Sequence, residues 1–309
     1  MNARKPLVFL LAICLIPFLI IACNQGSQDV TSTPVIAGDT ETPPFTPEPS
    51  ITPIPPTATP VPLAIIVNGE GISLAEYQAE VARFEVSASI TGTILASDTK
   101  TIVINELVDQ TLMAQAAREN GFQVDDVALE EKITALQEQL GGAQALDAWQ
   151  TAHGYTQADF NKALKRSIEA AWMRDTIMAG VPETAEEVHI YQILVSTSAE
   201  AEQVYASLQA GKDFMTLAAT YDSLTKGDLG WFPHGYLDEP AIEEAAFALQ
   251  PEQYSQVIHT DIGYQILYLF EKDPAHSLQP DARMVLQEKA IQEWISEHKD
   301  QSDIQILLP

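Results

Sequence analysis

What this chain lacks narrows its chemistry first. Cysteine occurs twice in 309 residues, at positions 14 and 23. Beyond Cys23 no disulfide, thiolate nucleophile or cysteine-based metal site can form. Positive charge is scarce too, with 16 Lys and Arg against 43 Asp and Glu and a net charge of −27. A phosphate backbone is held by clustered cations, so nucleic acid is excluded as a partner. Anionic lipid would repel the chain as well, so any membrane attachment needs something other than a basic patch. The acidity implies a well-solvated surface, or else a bias toward basic clients. The six histidines show no ligand spacing, and neither metal nor cofactor is expected.

The N-terminus offers an attachment of another kind. "MNARKP" is a short basic region and "LVFLLAICLIPFLII" an apolar run broken by Pro17. Basic start, apolar core and small residues at a cleavage point describe a secretory signal over 1–22. Ile20-Ile21-Ala22-Cys23 resembles the lipobox of bacterial lipoproteins, which implies lipidation of Cys23 and a place on the outer side of the cytoplasmic membrane. The alternative is a membrane span with an incidental cysteine, but the run is short for one. From Thr31 to Pro62 the chain is rich in Thr and Pro, and ten of its 19 prolines fall there. Such a stretch cannot bury a core and reads as an extended tether (23–63), rising about 3 Å per residue.

Folded sequence begins near residue 64. Ile65-Ile66-Val67 reads as a strand, Asn68-Gly69 as a tight turn, and Ser73 with Glu76 as a capping box opening a helix. Helical periodicity then runs to about 180. Ile133, Leu136 and Leu140 trace one apolar face, and Phe160, Leu164, Ile168 and Trp172 another. Strand, "NGEGIS" turn and successive helices resemble the N-terminal domain of SurA-like and PrsA-like bacterial folding factors. That likeness implies a helical, chaperone-like domain over 64–183.

The pattern changes near Thr184. "EVHIYQILV" (187–195) reads as a strand, and Thr197 with Glu200 as a second capping box, opening helix 198–210 that Gly211 ends. "DFMTLAATY" is a short helix, followed by a Gly-rich loop, a helix over 240–249, a strand over 254–259 and the strand "GYQILYLFE". "DARMVLQEKAIQEWISEH", within 274–309, is amphipathic and is expected to fold back onto the helical domain.

The pieces "HIYQILV", "AEQVYASLQAGKDFMTLAATY", "GDLGWF", "EEAAFAL" and "GYQILYL", in that order, resemble the parvulin family of peptidyl-prolyl isomerases. The resemblance implies an α+β fold, with a four-stranded antiparallel sheet flanked by helices over 184–273, beside the helical domain. It implies Pro-containing or unfolded exported polypeptides as partners. It places Leu237, Ile242 and Phe247 around a proline ring, with Trp231 and Phe232 in the adjoining wall; ordinary core packing is the competing reading for the first three. Where the family carries histidine on its first and last strands, this chain has Gln192 and Gln265. The family's Asp or Cys after the second helix has only Asp222 or Ser223 as misaligned counterparts. His189, three residues from Gln192, points to the opposite face of the strand, and His234 lies in the loop. Isomerisation needs no net proton transfer, so the two amides imply weakened catalysis, or an inert groove in a chaperone that binds without turnover.

Overall fold

The asparagine–glycine pair that ends the first strand sets the local geometry. In the computed structural model, which describes residues 61–92 and 98–308, Asn68 and Gly69 have φ of 50° and 84°. Positive φ at both central residues is what a two-residue hairpin turn needs, and it folds β1 (Leu63–Val67) onto β2 (Glu70–Ser73). Ser73 caps α1 (Leu74–Thr91), its Oγ accepting from the Glu76 N–H at 3.1 Å. The reciprocal half of the expected capping box does not form. Glu76 instead turns its carboxylate to Arg166, in an ion pair with side chains 2% and 3% exposed respectively.

Four more helices follow: α2 (Thr99–Glu119), α3 (Asp126–Leu140), α4 (Ala143–Ala152) and α5 (Gln157–Ala179). The apolar face expected on α5 is shared between two cores. Phe160 packs with Val124, Leu129, Ile133 and Leu146, while Trp172 stacks on Phe122 at 4.9 Å and borders a core of Met113, Ala114 and Met173.

The second region is built from β3 (Thr184–Val195), α6 (Ser198–Gln209), α7 (Phe214–Tyr221), β4 (Asp228–Pro233), α8 (Pro240–Ala248), β5 (Ile258–Thr260) and β6 (Gly263–Ser277). Its strands form one antiparallel sheet in the order β4-β3-β6-β5, the four-stranded α+β arrangement expected from the sequence. Thr197 caps α6 by accepting from the Glu200 N–H at 3.3 Å, and Asp213 caps α7. The fourth strand lies inside the stretch read as a Gly-rich loop. Glycines at 227 and 230 have φ of 78° and 75°, which conceals a strand from any pattern of side chains. A Cβ at Gly227 would collide with the Gln192 carbonyl oxygen, and the bare backbone allows Gly227 O to accept from Gln192 N at 2.7 Å.

The chain then returns. α9 (Pro280–Asp300) lays Ile291, Trp294 and Ile295 against the Met113–Met173 core, and Lys299 pairs with Asp109 at 2.5 Å. β7 (Ile304–Ile306) pairs with β1, completing a three-stranded sheet, β2-β1-β7. Burying Ile65, Val67 and Ile72 there stabilises the fold by roughly 1.5–3 kcal/mol per side chain.

Candidate active site

Alternation along β3 divides the four-stranded sheet into two faces. One carries Tyr191, Ile193 and Val195 with Ile266 and Tyr268, and α6 and α7 cover it with Val204, Leu208, Phe214 and Ala218. The other carries Val188 and Ile190 with Leu267 and Leu269, and α8 covers it with Ile242 and Ala246. Gln192 lies opposite Leu267 and Leu194 opposite Gln265. Residues directly opposite share a face, so Gln192 and Gln265 are diagonal neighbours on the α8 face.

Gln265 is only 4% exposed. Its Nε2 donates to Thr260 Oγ1 at 3.0 Å, and that hydroxyl donates to Gly263 O at 3.1 Å. A hydroxyl has one proton to give, so toward Gln265 it accepts, and the amide must present Nε2 to it. Oε1 is thereby turned away from β5. No hydrogen bond joins the side chains of Gln192 and Gln265. Sequence reasoning did not single out Thr260, although "HTDIGYQIL" places a hydroxyl five residues before the glutamine on the same hairpin.

Leu237, Ile242 and Phe247 are brought together in one cluster with Phe232 and Tyr236. Ile242 is buried, and Leu237 and Phe247 are half-buried. Glu243, in the first turn of α8, holds the preceding loop, its carboxylate accepting from the N–H of Gly235 at 2.7 Å and of Leu237 at 3.1 Å. Phe247 is enclosed: the His234 ring stacks on it at 3.4 Å, Phe232 meets it edge-on at 6.1 Å, and Lys272 Nζ stands 5.6 Å from its centroid. His234 therefore rests on Phe247 and Glu243 rather than on the two glutamines.

Of the two expected wall residues, one stays within that cluster and the other leaves it. Phe232 is in the core, 1% exposed. Trp231 is paired in register with His189 and stacks on His276 at 4.2 Å. That puts it on the face opposite Gln192, because the strand that carries it, hidden in the loop, alternates sides. His189 points to that opposite face too, stacking on Tyr191 and bonding Asp228 at 2.8 Å. Burial raises the Asp228 pKa, but the His189 and Gly230 hydrogen bonds outweigh it and leave the carboxyl below its usual range.

Asp222 serves its own loop. Its carboxylate accepts from the N–H of Leu224 at 2.9 Å, the N–H of Thr225 at 3.1 Å and the Thr225 hydroxyl. That hydroxyl and those amides hold its pKa down. The loop it folds leads into Gly227, whose carbonyl accepts from the Gln192 N–H. Among the described residues no group of three or more His, Asp or Glu side chains could hold a metal ion. The predicted lipidation residue Cys23 and the signal segment lie outside the described residues.

Residues 177–271 match the model of the PPIC-type PPIase (rotamase) domain, and residues 55–174 that of the SurA-like N-terminal domain. The foldase protein PrsA of Caldanaerobacter subterraneus subsp. tengcongensis is 30% identical over 239 residues, 65% of this chain and 71% of that protein. PrsA of Halalkalibacterium halodurans is 26% identical over 267 residues, 78% of this chain and 79% of its own length. A crystal structure of the peptidylprolyl isomerase PrsA from Bacillus cereus superposes with a TM-score of 0.43 at 18% identity, covering 78% of this chain and 89% of that one. With a SurA-like helical region, a PPIC-type sheet and such a relative matched along most of its length, the chain belongs to the PrsA foldase family.

Proposed function

We propose that this protein is a lipid-anchored, extracytoplasmic folding factor that isomerises X-Pro bonds of exported polypeptides, slowly, through a site centred on Gln192 and Gln265. In this reading residues 64–183 form a chaperone-like helical domain, 184–273 the isomerase domain, and 274–309 return to the helical domain. Among the described residues no helix is long and apolar enough to cross a membrane, and lipidated Cys23 at the end of a Pro-rich tether supplies the attachment. Mass spectrometry of the detergent-extracted protein tests the anchor: a diacylglyceryl adduct on Cys23 supports it, and an unmodified cysteine overturns it.

The physical demand of the reaction is small. An X-Pro bond has cis and trans forms of similar energy separated by roughly 18–20 kcal/mol, and it turns over unaided in tens of seconds. Lowering that barrier needs an apolar surface for the ring and polar groups beside an amide that has lost its resonance. The observation that carries the proposal is the buried Gln265 amide, oriented by Thr260 and diagonal to Gln192, beside the Leu237–Ile242 cluster. Neither amide titrates, and isomerisation moves no proton from substrate to solvent. NMR exchange spectroscopy on an X-Pro peptide is the test. Cis–trans exchange peaks at substoichiometric protein support catalysis. Broadened peptide signals without exchange favour the second reading, a chaperone that grips Pro-containing segments, which the absence of both family histidines supports.

A further inference from the structure

Beside Gln265 the sheet changes character. Ile258, Gln265 and Leu194 form one cross-strand row on the α8 face. Farther along β3 on that face, Val188 and Ile190 are fully buried under α8. Leu194 is 38% exposed. It is a large apolar side chain next to a buried polar group, standing open on a face whose other large side chains are covered.

Its position is built rather than incidental. Gly263 opens β6 at φ 136°, and a Cβ there would meet Val195 O at 2.5 Å and Leu194 Cδ1 at 3.3 Å. The Val195 carbonyl and the positive φ require glycine there, and the missing Cβ leaves room for the leucine beside the turn. The strands on either side are poor in cations. From Thr184 to Gly211 and from Ser255 to Glu271 the sequence holds no Lys or Arg, and Asp261 lies in the turn between β5 and β6. The exposed Lys226, in the loop before β4, is the one nearby cation of that loop.

We infer that Leu194 is a specificity-determining residue of this site: it receives the side chain of the residue preceding proline and selects a large apolar one over an acidic or phosphorylated one. The inference rests on the isomerase reading above. With the ring at Leu237 and Ile242 and the X-Pro amide over Gln192 and Gln265, the preceding side chain falls on the far side of the glutamines, onto Leu194. A phosphate or carboxylate there meets an apolar side chain on strands without Lys or Arg, with no guanidinium to pair with.

The experiment uses the mature protein and a peptide series differing only before proline: Leu-Pro, Ala-Pro, Glu-Pro and phosphoserine-Pro. NMR reports exchange rate and chemical-shift binding from the same samples. The wild type is expected to favour Leu-Pro over Glu-Pro by at least about tenfold in kcat/KM, the scale of one well-filled apolar subsite. Leu194→Ala shrinks that ratio to within about threefold, and Leu194→Lys inverts it toward Glu-Pro and phosphoserine-Pro. Equal rates across the series in wild type, or a ratio that survives both substitutions, overturn the inference. If no peptide exchanges, the isomerase reading falls, and the binding order from chemical shifts, with its response to Leu194→Lys, still decides the role of Leu194. Matching thermal melts of the variants show that a half-exposed site has been changed without unfolding the protein.

Discussion

The helical region and the candidate site handle buried polarity in opposite ways. The helical region buries full charges. Arg166 meets Glu76 and Gln110, Arg118 bridges Glu70 and Glu169, and Glu169 also accepts from the Val124 N–H. These links tie β2 and α1 to α2 and α5, where apolar packing alone leaves helices free to slide. The candidate site buries a neutral amide, satisfied by one hydroxyl. The sheet does bury one carboxylate, Glu187, but on the other face, against His276. A buried charge fixes an arrangement and makes it depend on pH. A buried amide fixes a donor and an acceptor and leaves the site indifferent to pH.

The sharpest way to break this contrast is at Arg166. Arg166→Met strands the Glu76 carboxylate inside the fold and is expected to cost about 3–5 kcal/mol in urea unfolding, whereas Arg166→Met with Glu76→Leu recovers most of it. Equal losses for the single and double variants would show that the pair does not organise the region.

Next in size is a pH effect. Burial, with Glu80 and Asp109 nearby, raises the Glu106 carboxyl from its ordinary 4.5 to about 7. The folded state then holds a proton that the unfolded chain has released, so this contribution is complete below about 4.5 and is lost as pH rises through about 7. Stability is expected to fall by roughly 2 kcal/mol between pH 4.5 and 8, after allowing for partial solvent access. Glu106→Gln should flatten that slope; a slope unchanged in the variant would place its origin elsewhere.

Thr260→Val tests the site. It removes the acceptor of a buried amide and is expected to cost about 1–3 kcal/mol and to slow exchange of a Pro peptide. Retained exchange would separate Gln265 orientation from function. The smallest expected effect on stability, about 1 kcal/mol because an imidazole can replace the buried amide as donor to Thr260, belongs to Gln192→His with Gln265→His. That double variant is expected to isomerise faster and to become pH-dependent between 5 and 8, where imidazole titrates, while the wild-type rate stays flat. An unchanged rate would assign the deficiency to the α8 loop.

Particular residues show how much was legible. Thr197–Glu200 and Ser73–Glu76 were visible as caps because a cap is a local hydrogen bond. Gln192 and Gln265 were visible through the parvulin resemblance, which carries histidine at those places on its first and last strands. β4 was not, since its glycines take backbone geometry from β3 and leave no side-chain pattern, and Trp231 was consequently assigned to the wrong side. β7 was not, because three residues carry no period and become a strand only by pairing with β1.

Composition, caps and periodicity by themselves determined that this chain has no thiol chemistry beyond Cys23 and holds a helical region followed by strands, and the resemblance of those strands to parvulins marked amides where imidazoles are expected. Those properties depend on neighbours in sequence. Tertiary structure alone decided which face each side chain took, that Thr260 orients Gln265, that Glu76 left its cap for Arg166, and that Leu194 stays uncovered. Each of these depends on a partner far along the chain, and the cost of leaving a buried polar group unpaired selects that partner only once the chain has folded.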